Sequence, residues 1–299
     1  NFYGFSTLNP RINTSFSHDN FKIRGGFGLT SKAPSLNQIY TGPRYTDAVL
    51  GDYRYPGFYN IAVVQTFIDV ADNKDLGPSK SLRTELGFDW SLPFAEINFT
   101  GFYNKLYDGI TSEQYIQKRE LANLQVNFDG TNQPTWEVAG FENYYFTQSR
   151  LTNKYESTDK GLEFMVSLDK IMPKNFSFGF NGSYIETTNF SGVDRFFRST
   201  KADSEEVFGV FKPYESLHKH FRAGAYFNYH LPKIGLVIAV RSEHFFNDGM
   251  DYDYDSIPYA YINTNLQKQF LSNQDIATGN YAHITGSEYY DSRDLEKVF

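Results

Sequence analysis

The segment that most restricts the possible folds is Lys80–Leu92, KSLRTELGFDWSL. From position 82 its even-numbered residues are apolar or neutral, whereas its odd-numbered residues include Arg83, Glu85 and Asp89. Alternation over this length is typical of a β-strand with one apolar and one polar face. The apolar face either covers the core of a soluble sheet or meets lipid in a membrane barrel. One strand cannot distinguish the two environments.

The same alternation recurs along the chain. It predicts eight strands, at about residues 2–16, 20–31, 81–92, 94–107, 158–170, 175–189, 219–231 and 234–247. No segment longer than a turn or two has helical periodicity. The longest apolar run, Leu236–Val240, is far shorter than the roughly 20 residues of a membrane-spanning helix. The 29 Phe and 23 Tyr suit β-structure and also the aromatic girdles of membrane barrels. We therefore predict an all-β chain.

The predicted connections favour an antiparallel transmembrane β-barrel. Four tight turns alternate with links of about 30 to 50 residues, at roughly 32–80, 108–157, 190–218 and beyond 248. This alternation places the short turns at one end of the sheet and the long loops at the other, like the periplasmic turns and extracellular loops of outer-membrane barrels. The Greek-key crossovers of a soluble β-sandwich would scatter long links between both ends. A secreted β-sandwich that binds or cleaves glycans is the alternative fold.

Charge and cysteine content exclude some partners. The net charge is −7 and no basic run is present, so nucleic acid is not an expected partner. The chain has no cysteine and therefore does not depend on disulfides. Its first residues are already strand-like, so we expect a piece of a larger protein.

Three stretches resemble the C-terminal part of the barrel domain of TonB-dependent receptors. They are Asn9–Asn13 with Phe21–Gly28 and Lys32–Leu36, then Asn73–Gly87 with Phe99–Ile110, and finally Lys160–Phe164. In the second stretch, Gly77 and Ser79 replace the lysine and glutamate usual in the family.

The resemblance implies about eight strands of a barrel of about 22 strands that surrounds an N-terminal plug domain. Residues 1–299 are then one partial barrel domain, located in the cell outer membrane of a Gram-negative bacterium. The implied function is TonB-energised uptake of a scarce nutrient, such as a ferric siderophore, cobalamin or a glycan. The implied partners are outer-membrane lipid and lipopolysaccharide, the plug, the TonB complex and the nutrient. A passive outer-membrane pore or adhesin is the second alternative.

Aromatic residues in the long links are the candidate ligand-binding residues. Rings with a polar tip bind sugars, ring-rich siderophores or proteins at low entropic cost. The alternative is that they pack the loops together or lie at the lipid interface. The candidates are Tyr53, Tyr55, Phe58, Tyr59, Tyr144, Tyr145, Tyr252 and Tyr254.

A possible calcium site lies at Asp251, Asp253 and Asp255, since carboxylates at alternate positions can converge on one cation. Ser256 and Ile262 occupy the positions where an EF-hand has Gly and Glu, so only a looser site is expected. An acidic, solvated loop is the alternative, and no other cofactor is predicted.

No catalytic residue is predicted, and we expect the chain not to be an enzyme. The histidines do not occur in a recognisable catalytic motif. His218 and His220 are two residues apart at the start of a predicted strand, so they share a face and could bind a metal. The sequence identifies no third ligand for them.

Overall fold

The structure is a computed structural model that describes residues 4–55, 59–199, 206–253, 255–281 and 284. Strands dominate the described chain, and both helices are short. No helix among these residues is long and apolar enough to cross a membrane. The elements are β1 (Arg11–His18), β2 (Phe21–Lys32), α1 (Leu36–Ile39), β3 (Arg44–Tyr55), β4 (Tyr59–Asp69), β5 (Ser79–Ser91), β6 (Glu96–Asn127), β7 (Thr135–Ser167), β8 (Phe176–Ser191), β9 (Arg195–Arg198), β10 (Glu206–Phe211), β11 (Glu215–Leu231), β12 (Leu236–Asp253), β13 (Ala260–Asn263), β14 (Lys268–Phe270) and α2 (Asn273–Thr278).

The main sheet has eight antiparallel strands in the order β1-β2-β5-β6-β7-β8-β11-β12. These correspond to the eight predicted strands, which confirms the all-β, antiparallel prediction. Each tight turn also lies where the sequence predicts it, at residues 19–20, 92–95, 168–175 and 232–235. The first strand begins at Arg11 rather than at residue 2. The sheet is open, with β1 and β12 as its edges.

The links predicted as long loops contain most of the remaining secondary structure. Residues 108–157 largely continue β6 and β7, whose ladder runs from the Glu96–Ser167 pair to the Asn127–Thr135 pair with three register shifts. The link at 32–80 holds α1 and the β3–β4 hairpin. The last two links contain β9 and β10, then the end of β12, β13, β14 and α2. Strands β9, β10, β13 and β14 pair into a separate four-stranded sheet.

The main sheet has two chemically different faces. The apolar face carries the Leu86, Phe178 and Phe180 rows, whereas the polar face carries the residues that alternate with them, such as Asp89 and Asn181. Leu86 is 64% exposed and Phe180 is 42% exposed, so nothing in the described part of the chain covers this face. The open face gives no support to a β-sandwich, in which a second sheet would bury these rows.

The buried hydrophobic cluster lies in the four-stranded sheet rather than behind the main one. It consists of Val207, Phe208, Val210, Ala260 and Ile262. Ile116 of β6 and Tyr145 of β7 pack against it. The long β6–β7 hairpin therefore supports a folded unit at the loop end of the main sheet.

Glycine at position 179 allows β7, β8 and β11 to approach closely. A Cβ atom there would lie 2.5 Å from the carbonyl oxygen of Val166 and 2.6 Å from the ring of Tyr226. Tyr226 lies directly opposite Gly179 in the β8–β11 ladder, so its ring covers the glycine. A backbone oxygen this close cannot move aside without disturbing the ladder.

We expect Gly179→Ala to lower the free energy of unfolding by about 1–3 kcal/mol, because the added methyl group overpacks this contact. The measurement is urea unfolding of the purified protein in detergent. Gly140→Ala is the control, since a Cβ atom at Gly140 meets nothing within 4 Å. Its effect should stay within about 0.5 kcal/mol. Equal effects of the two substitutions would contradict the contact.

Candidate functional site

Charged side chains on the polar face of the main sheet are paired across strands. The Nε atom of Arg24 lies 2.9 Å from Oδ2 of Asp89, and Oδ1 of Asp89 accepts a hydrogen bond from Asn98. The Nη1 atom of Arg222 similarly lies 2.9 Å from Oε1 of Glu243. These contacts pair charges across neighbouring strands, so the face can be wet and charged without leaving these ions isolated.

A concave depression of about 640 Å³ lies on the polar face over β1, β2 and β5 to β7. Its lining is polar and includes Arg11, Asn13, Arg83, Glu85, Asn104 and Asp159. The side-chain oxygen of Asn104 is buried there without a hydrogen-bond partner in the described structure. This depression can therefore accept a polar surface that brings a donor.

At the loop end, the β3–β4 hairpin is tied to the β6–β7 hairpin. Arg119 of β6 forms an ion pair with Asp69, whose side chain is only 5% exposed, and Gln148 of β7 donates to the other oxygen of Asp69. The rings of Phe67 and Phe146 lie 6.0 Å apart beside this pair. A buried carboxylate with two partners holds the hairpins in one arrangement, because removing either partner would leave a charge or polar group unsatisfied.

Two asparagines link strand β7 to the segment that precedes strand β5. Asn153 accepts a hydrogen bond from the amide of Gly77 at 2.7 Å and donates to its carbonyl oxygen at 3.0 Å. Asn73 accepts from the amide of Leu151 at 2.9 Å. These contacts are not predictable from the sequence pattern, since isolated asparagines usually indicate turns.

The predicted aromatic residues do not form one cluster. Phe58 and Tyr254 lie outside the described residues, and Tyr55 and Tyr59 are paired in backbone register near the end of the β3–β4 hairpin. Tyr53 is half-buried in β3.

The other three predicted aromatic residues have different environments. Tyr145 packs against the buried cluster and donates to the carbonyl oxygen of Thr264 at 2.8 Å, so it packs the loops together. Tyr144 is exposed, with the Arg198 guanidinium 5.1 Å from its ring centre. Tyr252 is exposed on β12, 6.3 Å from the ring of Tyr214. Tyr144 and Tyr252 are thus the two best placed to contact a ligand.

The three predicted calcium ligands are not brought together. Asp251 and Asp253 lie within β12, opposite Leu217 and Glu215. Asp255 follows the strand and lies 3.3 Å from the Nζ atom of Lys212. In the described part of the chain these carboxylates do not form a three-ligand group. A calcium site at this position stays a prediction.

His218, His220 and Asp248 do converge. Their nearest ligand atoms all lie within 4.8 Å of one another. The Oδ1 atom of Asp248 is 2.6 Å from Nε2 of His218 and 3.5 Å from Nδ1 of His220. Hydrogen bonds from His218 and His220 hold the pKa of Asp248 below its usual value. The structure thus places a third residue with a metal-binding side chain, Asp248, beside His218 and His220.

Comparison with protein families identifies the first part of the chain. Residues 1–127 match the family described as TonB dependent receptor-like, beta-barrel. These residues, fewer than half of the 299, are therefore similar to the β-barrel of TonB-dependent receptors. The match covers the first two stretches of resemblance, whereas Lys160–Phe164 lies beyond it. The open sheet is accordingly a partial barrel.

A solved structure similar to this barrel segment is the siderophore receptor PirA from Acinetobacter baumannii. The sequences are 14% identical and the TM-score is 0.39. The match covers 85% of this chain and 35% of that receptor, so the chain spans about a third of the receptor's length. No curated protein matches the chain.

Glu113 of β6 forms ion pairs with Arg150 and Lys154 of β7. Burial disfavours ionisation of Glu113, but hydrogen bonds from Lys154 and Arg150 outweigh it and lower the pKa of this carboxyl group. Because the pKa of Glu113 is lower in the folded than in the unfolded protein, its ionised form stabilises the fold at pH values above the ordinary carboxyl pKa. This stabilisation is lost as the pH falls through the pKa of Glu113 in the folded protein.

We therefore expect the β6–β7 hairpin to become more sensitive to an acid-active protease below about pH 4.5, the ordinary pKa of a glutamate. In Glu113→Gln this acid-induced increase should be smaller, because the titrating group is absent. Glu142→Gln, at an exposed position of β7, is the control and should behave like the wild type. An unchanged pH profile in Glu113→Gln would exclude this cluster as the cause.

Proposed function

We propose that this chain is part of an outer-membrane receptor that imports a scarce nutrient with energy supplied by TonB. The observation that carries the proposal is the family match of residues 1–127. The two faces of the main sheet support it, because a barrel wall needs an apolar surface toward lipid and a polar surface toward the interior. The apolar face would contact outer-membrane lipid and lipopolysaccharide.

The polar face would enclose a plug domain. Its charged pairs satisfy one another, and the depression containing Asn104 offers an acceptor to a polar partner. The edges at β1 and β12 need further strands in a membrane, since unpaired backbone groups there cost several kcal/mol each in lipid. We infer that further strands close the barrel around the plug.

The loop end would capture the ligand. Loops held by Asp69, Asn73 and Asn153 present a surface of fixed shape, with exposed rings at Tyr144 and Tyr252. Ferric siderophores, cobalamin and glycans are the candidate ligand classes. Exposed tyrosines beside acidic segments favour a neutral glycan or peptide over an anionic ligand.

Nutrient uptake by whole cells tests the proposal. Strains with and without the intact gene are compared with a ferric siderophore as the iron source, with limiting cobalamin, or with a glycan as the carbon source. Gene-dependent uptake of one ligand should stop when TonB is removed or the proton gradient is collapsed. Gene-dependent uptake that persists without TonB would instead support a passive pore. Recovery of the protein in the aqueous fraction without detergent would support the soluble alternative.

A substitution at mid-strand tests the lipid contact directly. Phe180 lies on the apolar face about halfway along the 9–11 residues with which a strand crosses a bilayer. Phe180→Arg should destabilise the protein by roughly 2–4 kcal/mol, because a charge at the bilayer midplane loses its hydration.

Asn181→Arg, one residue along and on the polar face, is the matched control and should have a mild effect. The measurement is reversible unfolding from lipid vesicles. Equal tolerance of arginine at both positions would count against a membrane-spanning β8.

A further inference from the structure

The histidine–aspartate cluster joins β11 and β12 at the loop end of the polar face. His218, His220 and Arg222 alternate along β11 and therefore share this face. Asp248 of β12 is the direct cross-strand neighbour of His220 and the diagonal neighbour of His218. Side chains at opposite and diagonal positions are the pairs that can meet across an antiparallel ladder.

A β-bulge puts Asp248 on this face. Below the bulge, Arg222 pairs with Phe245; above it, Phe221 pairs with Asn247, so Phe246 is an extra residue in β12. If Phe246 were instead paired with Phe221 in a regular register, His220 would oppose Asn247 and the side chain of Asp248 would point to the other face. Bulges commonly re-aim side chains at the rims of barrels.

We propose that His218, His220 and Asp248 form a binding site for a divalent transition-metal ion of the zinc type. Two imidazole nitrogens and one carboxylate oxygen are ligands that Zn²⁺ accepts, with solvent or a bound molecule in the fourth position. Cu²⁺ and Ni²⁺ bind the same donors, whereas Ca²⁺ requires oxygen ligands almost exclusively. This site needs only the β11–β12 hairpin and does not depend on the transport function.

The surroundings suit a cation that enters from solution. The side chains of His218, His220 and Asp248 are 35%, 22% and 57% exposed, so an ion can reach all three. Arg222, two residues from His220 on the same face of β11, is neutralised by Glu243 at 2.9 Å. The ring of Phe245 packs edge-on against His220, with 5.4 Å between ring centres, and restricts its orientation.

The position along the strand also keeps the site out of lipid. A strand needs roughly 9–11 residues to cross the bilayer. Residues 221–231 of β11, counted from the tight turn, already provide that length. The cluster therefore lies beyond the membrane-spanning part of the hairpin, on the side where the long links are folded.

Zinc titration of the purified, EDTA-treated protein in detergent tests the site. Binding is measured by competition with a chromophoric chelator, and Co²⁺ is added separately because its visible absorption reports nitrogen ligation. We expect one ion per chain at this site. His220→Ala and Asp248→Asn should each weaken binding at least about tenfold and reduce the Co²⁺ absorption.

His244→Ala and His230→Ala are the matched controls. His244 lies on the opposite face of β12, stacked edge-on with Phe246 at 4.6 Å, and His230 lies near the tight turn. Both should bind Zn²⁺ like the wild type. Circular dichroism confirms that each variant retains its β-structure, so that weakened binding reports the site and not unfolding.

Two results would overturn the proposal. One is the lack of any Zn²⁺ binding at micromolar concentrations, which would leave the cluster as a hydrogen-bonded histidine–aspartate network. The other is undiminished binding by His220→Ala and Asp248→Asn, which would place the ion at another position.

Discussion

Backbone hydrogen bonding between neighbouring strands is the constraint on which the rest of the structure depends. Seven successive antiparallel ladders join the eight main strands and leave unpaired backbone groups along β1 and β12. Because pairing fixes the direction of every side chain, one register assigns each residue to lipid or to the interior. The apolar rows, the charged pairs and the histidine–aspartate cluster are all consequences of that register.

The sequence predicts the main sheet well because its two faces meet different surroundings. Phe178 and Phe180 alternate with small or polar residues, and the tight turn before them fixes where the strand begins. The extension of β6 and β7 beyond residue 108 was missed for the opposite reason. There both faces meet water or other loops, so Gln117 and Arg119 alternate with the equally polar Lys118 and Glu120. This region therefore forms strands without the alternation of apolar and polar residues by which strands are predicted.

The candidate sites were less predictable because they depend on contacts distant in sequence. Tyr144 and Tyr145 look equivalent in the sequence, yet one is exposed and the other supports the buried cluster. Asp248, the residue that joins His218 and His220, could not be predicted by extending a regular β11–β12 pairing from the tight turn. A regular register would have selected Asn247, and only the extra residue at Phe246 selects Asp248.

The long β6–β7 hairpin has a thermodynamic consequence for recognition. Its strands continue about 20 residues past the length needed to cross a bilayer, which corresponds to roughly 65 Å along the strand. The conformational entropy of this surface is lost when the hairpin folds, before any ligand arrives. A molecule that docks on the rigid scaffold is spared much of the ordering cost that a disordered loop of equal length would impose on binding.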